Sequence, residues 1–173
     1  MFLELIGTVF AGIAAAGVMM LVNKLTGGRL PRWTAPVVAG LAMIVMTIAS
    51  EYGWYGRTTA TLPDGVVVIE TVENRSFYRP WTMVSPYVDR FAALDEASLR
   101  RNPDVPGQTM ADLYFFGRWA PVNKVPILVD CDSLRRASLA DGATYDGRGA
   151  VSDADWVSVT ADDAVLVSVC EGA

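Results

Sequence analysis

Two long stretches almost free of charge open the chain, and they constrain what the rest can be. From Phe2 to Val22 the sole ionisable side chain is Glu4 and the sole other polar one is Thr8. Rising about 1.5 Å per residue, such a helix covers about 30 Å, the thickness of a bilayer's hydrocarbon core. A second uncharged run extends from Trp33 to Ser50 and is also long enough to cross. Gly27-Gly28 can stop the first helix, and Thr34 followed by Ala35-Pro36 can start the second, because proline is tolerated in a first helical turn. Residues 1–50 therefore read as a transmembrane hairpin, with helices at about 2–23 and 33–50 and a short loop over 24–32. A cleaved signal peptide is the competing reading, but the basic n-region it requires is absent.

The loop carries Lys24, Arg29 and Arg32 and no acid. By the positive-inside tendency it is cytoplasmic, which places the N-terminus and everything after Ser50 on the opposite side. In a bacterial inner membrane that side is the periplasm. Tyr52, Trp54 and Tyr55 fall where an interfacial aromatic belt belongs, so 51–57 reads as an aromatic linker. Gly7 with Ala11, Gly12 with Ala16, and Ala35 with Ala39 each stand four apart, the spacing that lets helices approach closely in lipid. Those faces suit packing of the two helices on each other or docking onto a larger membrane protein.

Beyond residue 57 the composition changes. The chain as a whole has 14 basic and 19 acidic side chains and no histidine. An acidic chain is a poor partner for nucleic acid. Without histidine, Ser-His and Cys-His nucleophile pairs, His-ligated haem and His-containing zinc sites are excluded. Cys131 and Cys170 are the two cysteines, and on an oxidising side they are expected to form a disulfide. The intervening stretch is nothing like the Cys-x-x-Cys of an oxidoreductase.

Residues 58–173 read as a β-rich domain. Thr58 to Leu62, Pro63-Asp64-Gly65 and Val66 to Val72 form a hairpin pattern. Further strands are expected at 81–84, 111–119, 124–130, 156–160 and 164–169, about seven in all, with each cysteine ending a strand. Short helices are expected after Asp95, over Glu96 to Arg101, and after Asp132 or Ser133 as far as Gly142. The fold class is thus membrane-anchored α+β: a two-helix transmembrane hairpin followed by a mainly antiparallel β domain.

No catalytic motif emerges, and no cofactor is implied. Asp153, Asp155, Asp162 and Asp163 are a minor calcium candidate, because the remaining ligands and the glycine of an EF-hand loop are missing. Aromatic and arginine residues recur together around Arg79 and Trp81 and around Arg118 and Trp119, a combination enriched at interface centres and equally able to stack within a core. From Asp141 to Ala173 there are seven acids and one arginine, a surface that would steer a basic soluble periplasmic protein. The expectation is a non-catalytic accessory subunit or assembly factor of a larger integral membrane complex, held in the lipid bilayer and serving, for example, electron transfer. The alternatives are a periplasmic ligand-sensing module and an envelope enzyme that would have to use carboxylates such as Asp112, Asp130 or Asp162.

Overall fold

The computed structural model describes residues 2–103, 105, 107–139, 144, 146, 151 and 154–171. The chain divides into two compact units, Met1–Arg57 and Thr58–Ala173.

In the first unit, helix α1 spans Phe2–Leu25 and helix α2 spans Thr34–Thr59. Both are long and apolar enough to cross a membrane. Thr8 and Thr47, polar residues on otherwise greasy surfaces, each donate their hydroxyl to the carbonyl four residues earlier, at 2.9 Å, which satisfies both hydroxyls within the helix. Gly27 and Gly28 both take positive φ, and the Gly28 N–H donates back to Asn23 O at 2.8 Å, so the glycines end α1 as expected. Asn23 Oδ1 then accepts the Leu30 N–H at 2.9 Å and folds the loop. The helices run antiparallel. Gly12 is buried against the Met43 side chain, and Ser50 Oγ donates to Glu4 Oε1 at 2.8 Å.

Helix α2 continues past Ser50 and absorbs the stretch read as an aromatic linker. Nothing in 51–57 breaks a helix except its two glycines, and tyrosine and tryptophan are tolerated there. Residues 58–62, expected as a strand, form the end of α2 and a turn in which Thr61 and Leu62 donate to the carbonyls of Thr58 and Thr59. The hairpin pattern around Pro63-Asp64-Gly65 thus has one strand, not two.

The second unit is a six-stranded antiparallel sheet in the order β1-β2-β3-β4-β5-β6. The strands are β1 Val66–Asn74, β2 Tyr87–Arg101, β3 Gln108–Gly117, β4 Ala120–Asp130, β5 Arg135–Ser138 and β6 Trp156–Ser158. A one-turn helix, α3 at Trp81–Val84, interrupts the β1–β2 connection, and α4 at Ala164–Glu171 packs on β1, β2 and β3. The core under α4 joins Leu94, Ala111, Leu113, Ile127 and Val129 of the sheet to Val165, Leu166 and Val169 of the helix.

Several expected elements change type. Residues 96–101 belong to β2, not to a helix. Asp95 does accept a backbone N–H, from Ala97 at 3.1 Å, but the turn it makes is a bulge: five steps along β2 oppose two along β3 between Asp95 and Arg100. Ser98 bridges that bulge, donating to Asp95 O at 2.6 Å and accepting the Asp112 N–H at 2.8 Å. Residues 81–84 are helical because Pro80 presets the first turn. The helix expected after Asp132 is replaced by a turn with Leu134 at φ 48°, followed directly by β5, and Gly142 lies outside the described residues.

The largest correction concerns 164–169, which form helix α4. Asp163 Oδ1 accepts the N–H groups of Val165 and Leu166, both at 3.1 Å, a side-chain cap that commits the following valines to a helix. The disulfide does form, with Cα atoms 6.0 Å apart. It ties the end of β4 to α4, whereas two strands were expected.

Candidate functional site

Two surfaces of the β unit expose apolar groups, and strand alternation creates the first. Phe115 and Phe116 are adjacent and therefore point to opposite faces. Phe116 stacks on the buried Phe91 ring at 4.6 Å and 8°. Phe115 faces the α4 side, where helix coverage stops. Beyond the helix the sheet presents two adjoining clefts of about 410 and 440 Å³, sharing Glu70, Ala92 and Phe115. Val72 extends the trough at one end, Val157 lies toward the other, and both are exposed. Arg136 forms part of the wall and pairs with Asp163 at 3.5 Å.

The second surface lies at the end of the sheet where Asn74 meets Tyr87 and where Gly117 meets Ala120. The β1–β2 connection and the two-residue β3–β4 turn come together there: the Arg118 N–H donates to Asp89 O at 2.9 Å. Trp81 and Trp119, expected as interface residues, both lie at this end and both are exposed. Their arginines behave differently. Arg118 is buried, with its guanidinium 5.1 Å from the Trp119 ring centre, so it belongs to the fold. Arg79 is half-buried and sits 5.4 Å from the Tyr78 ring.

Behind these side chains the connection is held by polar contacts. Thr82, fully buried, accepts the Ser76 N–H at 2.9 Å and donates to Arg79 O at 2.8 Å. Ser76 donates to Asn74, and Asn74 donates to Asp89, at 2.9 and 2.8 Å. Sequence reasoning missed Thr82. A threonine two residues after a proline is its only linear signal.

The remaining expected residues are dispersed. Gly7, Ala11, Gly12, Ala16, Ala35 and Ala39 all lie on the less exposed stripes of α1 and α2. Asp155 and Asp162 are exposed, Asp153 lies outside the described residues, and Asp163 caps α4. Hydrogen bonding to the Thr160 hydroxyl holds the Asp162 carboxyl below its ordinary range. Of the carboxylates named for catalysis, Asp112 pairs with Lys124 at 2.8 Å. That hydrogen bond is the main reason the Lys124 ammonium is held above its usual range. Burial works against ionisation of Asp130, but donors from Arg135 and the Ser133 backbone outweigh it, so its carboxyl titrates below the usual range.

The chain matches no protein-family model, no characterised protein and no solved structure.

Proposed function

We propose that this chain is a non-catalytic accessory subunit or assembly factor of a larger membrane complex. In this reading α1 and α2 span a bacterial inner membrane with the Lys24–Arg32 loop inside, and the β unit stands in the periplasm. The observation that carries it is the trough on the helix-bearing face of the sheet. A half-covered sheet that leaves Val72, Phe115 and Val157 in water favours closure by a partner segment. The commitment of Asp112 and Asp130 to ion pairs fits a binding role better than proton transfer.

The test is extraction from native membranes in mild detergent, followed by native electrophoresis. The chain is expected in a species well above its own 18.7 kDa, and Phe115→Asp with Val157→Asp is expected to release it. Migration of the unaltered chain alone would overturn the subunit reading. Protease added to intact spheroplasts should digest the β unit; digestion only in inverted vesicles would overturn the topology.

A ligand-sensing role is the second reading, favoured by the size of the same trough, which falls within the range of small-molecule pockets. A small molecule retained by the purified chain and lost in the Phe115→Asp variant would select it.

A further inference from the structure

The β1–β2 connection inverts the usual arrangement of a loop. Its backbone is fixed from within by a buried hydroxyl and a relay of polar side chains, Thr82 to Ser76 to Asn74 to Asp89. Its apolar side chains point outward. Phe77 is 96% exposed and Val84 90%, with Tyr78, Met83 and the neighbouring Trp119 at 75%, 61% and 65%. Loops of soluble proteins commonly fold apolar groups inward and leave polar ones in water. Here the internal bonds hold a cluster of pegs away from the domain.

Charge is distributed to match. Residues 73–90 carry Arg75, Arg79 and Arg90 against Glu73 and Asp89, a small positive excess in a chain whose net charge is −5. Arg75 is exposed and shares its charge with Glu73 at 3.5 Å. Arg90, also exposed, lies 3.9 Å from Asp89. Projecting Phe, Tyr, Trp, Met and Val, with the exposed Arg75 and Arg90 at their margin, are the side chains that settle at the boundary between acyl chains and anionic headgroups. A protein pocket would have to enclose Phe77 and Val84 almost completely, whereas a fluid interface moulds itself around them.

We propose that this end of the β unit, Ser76 to Ser85 with Trp119, rests in the surface of a bilayer containing anionic phospholipid. The inference depends on the reading that α1 and α2 are membrane-embedded. That anchor tethers the Val66 end of β1, opposite the Asn74 end, through the six residues after Thr59, which reach at most about 20 Å.

The test uses the full chain with Trp33, Trp54 and Trp156 replaced by Phe, so that Trp81 and Trp119 report alone. It is reconstituted in phosphatidylcholine–phosphatidylglycerol vesicles whose acyl chains carry bromine, a contact quencher of tryptophan. Emission is expected to fall at least twofold relative to unbrominated vesicles. The loss should shrink to under a tenth when Phe77→Asp and Val84→Asp are added, and at least threefold when phosphatidylglycerol is omitted. Unquenched tryptophans in a chain that floats with the vesicles would overturn the lipid contact and leave the anchor standing, since the surface would then face water or protein. Quenching indifferent to phosphatidylglycerol would overturn the headgroup assignment. A chain that fails to float would overturn the anchor and this inference with it.

Discussion

Asp130 and Arg135 are register partners across β4 and β5, and Arg135 directs both Nε and Nη2 at one carboxylate oxygen of Asp130, at 3.0 and 2.8 Å. The same guanidinium lies 4.4 Å from the Trp156 ring centre, so one arginine links β4, β5 and β6. Because Asp130 is buried, replacing it by Asn removes a charge that the fold is built to hold.

We expect Asp130→Asn to destabilise the β unit by about 2 kcal/mol at neutral pH, below the range for fully buried pairs because Arg135 is partly exposed. The pH dependence has a defined sign. The folded Asp130 carboxyl titrates below its unfolded counterpart, so its stabilisation is complete above the ordinary aspartate range of about 4 and disappears as pH falls through the folded value. Thermal unfolding between pH 2 and 7 should show the two proteins converging at the acid end. A constant difference across that range would refute the assignment.

Cys170→Ser should cost about 4 kcal/mol, the loop-closure value for a bridge spanning 39 residues of sequence. The effect should concentrate in α4, since a helix of eight residues has little stability of its own. Hydrogen exchange would then be fastest at Ala164–Glu171, with the sheet amides changing less. Equal acceleration throughout the sheet would show that the bridge does not act chiefly on the helix.

Gly12 is opposed by Met43, and any side chain at position 12 must displace the thioether. Gly12→Leu is expected to cost about 2 kcal/mol of helix-pair stability by overpacking. Adding Met43→Ala should recover at least half of that, read from thermal loss of helical circular dichroism in detergent. No recovery in the double variant would place the strain elsewhere.

Phe91 is fully buried and stacked on Phe116. Phe91→Ala should lower stability by about 3–5 kcal/mol, the usual range for removing a large core aromatic. Chemical denaturation followed by tryptophan emission measures it, and a loss under 1 kcal/mol would show that this face of the sheet is not packed as described.

The two apolar helices were legible because length and hydropathy speak for themselves. The strand through Ala111 shows alternating burial, and the one from Lys124 was legible as a short apolar run whose end, Ile127 to Asp130, is buried throughout. Where reading failed, the local signal was right and its consequence was decided elsewhere. Asp95 accepts a backbone N–H as a helix cap would, but pairing with β3 turns the result into a bulge. The run Ala164 to Val169 is rich in valine and looks like a strand, yet the cap from Asp163 and the open face over β1 to β3 draw it into a helix. Asp163 stands directly before an apolar run, where a cap belongs, as well as among the acids of a calcium candidate. The trough could not be read, because it exists only where α4 stops covering the sheet.

Every strand of the sheet pairs with its neighbour in sequence. Each hairpin can therefore close as soon as its second strand appears, without waiting for distant segments. Helix α4 is the exception, arriving last and settling on the three strands made first. In that order of assembly, oxidation of the sulfur pair would act as the final latch, joining the last helix to the end of β4.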